Sequence, residues 1–212
     1  MKEEDKDALS EAAETSLLLL SGGSDEGTIR TYHLYGELNE EKGKEIVNAF
    51  SILRQTGKEE KQNEEDPDGE PITVIKPIEF LVSTEGGSVQ DMFSIYDLMN
   101  DIQRECEIHT FGLGKVMSAG TLLLAAGTKG KRKLGRNCRL MMHSVRGGHF
   151  GSMKELEIDM KESKWYQEKF IQAMVKETNM TIKQLRSIFR KNTDTYFDAE
   201  QALKWGLCDE VV

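Results

Sequence analysis

Two side chains in this sequence are of the types that make a nucleophile and its base. Ser118 stands before the apolar run Ala119 to Ala126, and His143 follows the run Arg139-Leu140-Met141-Met142. A serine hydroxyl is a weak nucleophile at neutral pH and needs a base within hydrogen-bond reach, most often an imidazole. The run after Ser118 is too short and too uniformly apolar for an amphipathic surface helix, so it predicts a buried one. Ser118 then sits at the mouth of that helix, where free amides and the positive dipole end face any negative charge forming beside it. Ala119 and Gly120 leave room for a substrate to approach. Residues 139–142 predict a buried strand with His143 at its end. Each residue also has a plain reading: serine is a common helix N-cap, and a histidine after a strand is commonly a satisfied polar residue at the sheet margin.

Other elements must position this pair. Alternation from Thr28 to Tyr35 predicts a first strand that Gly36 ends, and Asn39 then caps a helix with Ile46, Val47, Phe50 and Leu53 at helical spacing. Residues 57–71 carry seven acidic residues between Glu59 and Glu70, with Pro67 and Pro71, and predict a solvated, inserted loop. Ile78 to Val82 predicts a buried strand, followed by a tight Gly86-Gly87 turn. A helix then carries the stripe Val89, Met92, Phe93, Tyr96, Met99 and Ile102. Glu107 to Phe111 predicts the next strand, which enters the stretch that ends in Ser118. Lys115 is near enough in sequence to make a serine–lysine dyad a second possibility.

After His143 comes a flexible glycine-rich piece, Arg146 to Gly151. A helix from about Ser152 to Thr178 follows; at 1.5 Å per residue it spans roughly 40 Å and should project from a compact body. Thr181 and Gln184 form a capping-box pattern. Asp198 caps Ala199 to Trp205, Gly206 ends that helix, and Leu207 to Val212 predicts a final strand.

The 212 residues suit one domain with a sizeable core, and the formal net charge of −9 argues against nucleic acid as a general partner. Three separated cysteines, Cys106, Cys138 and Cys208, give neither a zinc pattern nor a disulfide framework and fit a reducing compartment. No apolar run approaches the roughly 20 residues that cross a bilayer, and Lys2-Glu3-Glu4-Asp5 is not the start of a secretory signal. A cytoplasmic protein is expected, with no cofactor. Residues 1–28, polar and acidic apart from Leu17 to Leu20, predict a flexible segment ahead of a domain over 29–212. No G-x-x-x-x-G-K-[ST] phosphate loop is present, so any ATP use needs a partner chain.

The segments V-M-S-A-G-T-L-L-L-A-A-G-T-K-G-K-R and N-C-R-L-M-M-H, with the ending A-E-Q-A-L-K-W-G-L-C-D-E-V-V, resemble the ClpP family, the proteolytic subunits of ATP-dependent Clp proteases. The resemblance runs from about Arg30 to Val212. Its A-G-x-K-G-K-R and M-x-H pieces are specific, whereas the family's G-x-A-A-S-M-G serine motif is matched only in part. It implies an α/β, crotonase-like fold of repeated ββα units with a projecting handle helix. It implies a serine endopeptidase with Ser118 as nucleophile, His143 as base and, counting back from the C-terminus, Asp194 as the orienting acid. It also implies oxyanion amides from Gly87 and Ala119, polypeptide substrates, two heptameric rings forming a tetradecamer, and a Clp-type AAA+ unfoldase as partner. The first 28 residues correspond to an axial loop or a leader. Two departures matter: Glu85 replaces a proline of the family's N-S-P-G-G turn, and about two extra residues precede Ser118, which implies a modified loop over Gly112-Leu113-Gly114-Lys115. A catalytically silent ring subunit and a stand-alone processing protease are the alternatives.

Overall fold

The computed structural model describes residues 30–62, 70–148, 150–191 and 193–212. The predicted N-terminal segment, the start of the first strand and the centre of the acidic stretch lie outside them. The chain runs β1 (Thr31–Leu38), α1 (Glu40–Thr56), β2 (Lys58–Lys61), β3 (Ile72–Ile75), β4 (Ile78–Gly87) and α2 (Val89–Ile102). It continues with β5 (Ile108–Met117), α3 (Ala119–Ala125), β6 (Arg132–Leu134), β7 (Arg139–Met142) and α4 (Met153–Glu177). It closes with α5 (Ile182–Phe189), β8 (Thr195–Phe197), α6 (Ala199–Trp205) and β9 (Glu210–Val211). The fold is α/β, around a mainly parallel sheet ordered β1-β4-β5-β6-β9, with β7 alongside β5 and β8 antiparallel to β7.

Strand β4 is central because its alternate residues Ile78, Phe80 and Val82 are all fully buried. Phe80 meets Phe50 of α1 edge to face at 5.0 Å between ring centroids, a favoured aromatic geometry. Helices α1 and α2 pack on each other, and α3 packs on β4 and β5. The apolar run after Ser118 is indeed a buried helix: every residue from Ala119 to Ala125 is buried.

Two stretches read as loops are strands. The margins of the acidic stretch pair as an antiparallel hairpin, Lys58 opposite Ile75 and Lys61 opposite Ile72. Strand β5 does not stop at Phe111 but continues to Met117. Val82 pairs with Gly112 and Thr84 with Val116, so one residue of β4 faces three of β5. β5 thus carries two more residues than β4 here, in a bulge, a device that adds residues to one strand without breaking the ladder. At the same place β5 exchanges one neighbour for another, β6 up to Gly112 and β7 from Lys115.

The K-G-K-R segment has a structural task. Buried Arg132 grips Asp209 through two nitrogens, at 2.8 and 2.5 Å, and also donates to the Ala125 and Glu177 carbonyls. Glu177 in turn accepts from the Tyr96 hydroxyl at 2.8 Å and pairs with Lys129 at 3.1 Å. This ties the end of α4 to α2, the α3–β6 turn and the C-terminal strand. Ahead of that anchor α4 stands clear: its buried residues are confined to Phe170–Glu177, while Met153, Ile158, Met160 and Trp165 are exposed.

Candidate active site

Ser118 is held by its backbone and leaves its hydroxyl free of capping. Its N–H donates to the Met141 carbonyl at 2.8 Å, and its carbonyl accepts from the N–H of Thr121 at 3.0 Å and the Thr121 hydroxyl at 2.7 Å. The side chain forms no cap hydrogen bond, although Ser118 occupies the N-cap position. The simple capping role therefore fails. Ser118 is also the one non-glycine with positive φ among the described residues, at φ 52° and ψ −121°. Such a conformation costs on the order of 1–3 kcal/mol and persists only where the surroundings impose it. A sharp strand-to-helix turn of this kind projects the serine side chain outward.

The glycine pair lies directly against it. Gly86 has φ 99°, and a Cβ there would come within 2.6 Å of the Ser118 Cβ, so only glycine permits this approach. A Cβ on Gly87 would overlap the Leu38 carbonyl. Buried Thr84 fixes the turn: its hydroxyl donates to the Gly36 carbonyl at 2.5 Å and accepts the Gly86 N–H at 2.9 Å. Thr84 carried no recognisable sequence signal. Glu85 turns to Lys115, 2.8 Å away. The Lys115 ammonium beside it holds the Glu85 carboxyl below the usual carboxylate range. The same hydrogen bond pushes the Lys115 amine up, away from the neutral form that a base requires. Lys115 is thus engaged by Glu85 rather than by Ser118, which argues against the serine–lysine alternative.

His143 is half-buried at the end of β7. Its Nδ1 lies 2.6 Å from the Ser144 carbonyl oxygen. A carbonyl only accepts, so Nδ1 carries the proton and Nε2 presents the lone pair of a general base. Asp194 immediately precedes β8. Met142 pairs with Thr195 at the end of the antiparallel β7–β8 ladder, so His143 and Asp194 flank that last pair, just outside the ladder. Its observed partner, however, is Arg146, which bonds to Oδ1. Nothing in the sequence pointed to Arg146.

Ser118, His143, Gly87 and Ala119 line one cavity of about 540 Å³, whereas Asp194 is not among its lining residues. The amide of Ala119 opens α3, where helical N–H groups have no partner within the helix. Helices α4 and α5 complete the walls with Asp159, Glu162, Tyr166, Phe170 and Phe189. The cavity thus combines a projected hydroxyl, an imidazole with its base nitrogen available, and backbone amides at a helix start. No cluster of three or more metal-ligating side chains occurs among the described residues, and no helix there is long and apolar enough to cross a membrane.

Comparison with known proteins agrees with this architecture. The Clp protease family model matches residues 70–212, which include the glycine pair, Ser118, His143 and Asp194. The chain is 32% identical over 137 residues to the ATP-dependent Clp protease proteolytic subunit 2 of Rhodococcus jostii (strain RHA1), covering 65% of this chain and 68% of the relative. On fold, family model and relative together, this chain belongs to the Clp protease family, as a member of the ClpP type.

Proposed function

We propose that the chain is a serine endopeptidase subunit. Ser118 attacks the peptide carbonyl while Nε2 of His143 takes its proton. The amides of Gly87 and Ala119 receive the oxyanion, and the proton then passes to the leaving amine. Water, deprotonated by the same imidazole, releases the acyl group from Ser118. Asp194 stabilises the imidazolium through its second oxygen once the His143 ring turns from Ser144. The observation that carries the reading is the strained backbone of Ser118, which spends energy to project a hydroxyl that caps nothing.

Such a site in the cytoplasm requires enclosure. A tetradecamer of two heptameric rings supplied by a Clp-type AAA+ unfoldase would provide it, with the exposed apolar residues of α4 meeting a second ring. No cofactor enters the reaction.

The Arg146–Asp194 pair favours one other reading, a catalytically silent ring subunit in which the acid is permanently diverted. Fluorophosphonate labelling of the intact chain against Ser118→Ala decides between them. Labelling of the unchanged protein alone is expected. A folded, assembled protein that takes no label would leave the silent subunit.

A further inference from the structure

We propose that Glu162 makes this site select substrates with a lysine or arginine side chain next to the scissile bond, an inference that rests on the protease reading above.

One wall of the cavity that Ser118 lines is a single stripe of α4. Asp159, Glu162, Ser163, Tyr166 and Phe170 all line it, at the three- and four-residue spacings that share one helix face. The stripe is graded. Its far end is apolar: Phe170 packs at 5.6 Å from Phe189 of α5, and buried Met92 of α2 lines the same floor. One turn back come the Tyr166 ring and the Ser163 hydroxyl, and beyond them the two carboxylates.

An apolar floor with anionic groups about two turns away suits a side chain that has a long aliphatic stem and a cationic head. Leucine would fill the floor and leave the carboxylates in water. Glutamate would bring like charges together.

The charges around the cavity leave this preference in place. Arg146 is the permanent cation among the described lining residues, and its guanidinium is already engaged by Asp194. Asp159 has a contact of its own, and it adds to the negative field without being the principal partner. Glu162 is exposed and has no ion pair or hydrogen bond within the described residues. It is therefore the carboxylate available to a substrate. Its position on the projecting part of α4, ahead of the buried anchor, lets it meet a side chain without moving the core.

The test uses the assembled full chain and quenched peptides of one sequence, varied singly on each side of the cleaved bond. Lysine, arginine, norleucine and glutamate are compared. Norleucine keeps the stem of lysine and lacks the ammonium. At low salt, lysine is expected to exceed norleucine by about fivefold in kcat/KM, the scale of a partly exposed ion pair. That advantage should shrink towards 1 M salt, where the screening length falls to about 3 Å. Glu162→Lys should invert the order and favour glutamate over lysine; Glu162→Gln should erase the lysine advantage. Norleucine equal to or better than lysine at low salt, in protein whose Ser118 takes the fluorophosphonate label, would overturn the inference and leave the protease standing. Neither labelling nor cleavage of any peptide would overturn both.

Discussion

Asp194 and His143 flank the last pair of the β7–β8 ladder, Thr195 with Met142, and Asp194 gives its Oδ1 to Arg146. The acid and the base thus adjoin the same ladder pair, but the Nδ1 proton of His143 is donated to the Ser144 carbonyl. The site holds the correct imidazole tautomer before the acid is engaged.

This arrangement sets the size of the effect of Asp194→Asn. Where a carboxylate alone holds the imidazole, its amide costs about 10⁴-fold in kcat, largely through the wrong tautomer. Here the Ser144 carbonyl maintains the tautomer and only imidazolium stabilisation is lost. We expect a fall of about 10²-fold in kcat with KM little changed, measured by peptide hydrolysis. A fall of 10⁴-fold would show that Ser144 contributes nothing.

Gly86→Ala should damage both site and stability. The new Cβ would press on the Ser118 Cβ in a left-handed backbone region. Together these effects cost about 2–4 kcal/mol. Thermal unfolding should shift down by several degrees, and fluorophosphonate labelling should slow more than the residual folded fraction explains.

The Glu85–Lys115 pair is half-exposed on both sides. Screened by solvent, it should therefore contribute little to stability. Its larger effect should be on rate, since Lys115→Ala frees a carboxylate beside a site that stabilises negative charge. A several-fold loss of kcat is expected for Lys115→Ala, with recovery in the Glu85→Gln/Lys115→Ala double variant. Failure of the double variant to recover would remove charge as the cause.

The buried anchor at Arg132 predicts the response to acid. Burial raises the Glu177 carboxyl, but hydrogen bonds from Tyr96, Lys129 and Lys176 outweigh it and hold the group below its ordinary value. Asp209 is also held low: its burial is outweighed by hydrogen bonds from Arg132. Carboxyls depressed in the folded state stabilise it above their unfolded values, near pH 4, and lose that contribution as pH falls through the folded ones. Stability should be flat from neutrality to about pH 5 and then decline. Asp209→Asn, which leaves Arg132 buried without its counter-charge, should cost about 3–5 kcal/mol at pH 7. Denaturant unfolding across pH measures both.

The parts legible in the sequence were those governed by periodicity and local turn chemistry. The buried helix after Ser118, the α2 stripe and the Thr181 and Asp198 caps all follow from spacing. The loop expected over Gly112–Lys115 came from counting residues against the family, and a count does not distinguish a loop from a bulged strand. Gly112 clears space for Leu134, whose Cδ1 would lie 2.7 Å from a Cβ there, a contact visible only once β6 is in place. The hairpin flanking the acidic stretch was hidden because Lys58–Lys61 has no apolar face; its pairing with Ile72–Ile75 makes it a strand. Arg146 and Thr84 act through partners 48 residues away in each case. No local pattern encodes that separation.

The bulge in β5 has a use beyond accommodating two residues. Ser118 is pinned from β7, through the Met141 carbonyl, so its position is set downstream of the irregularity. Leu113 and Gly114 therefore form a slack length between two fixed ladders. Sequence can be added or removed there with little displacement of the nucleophile.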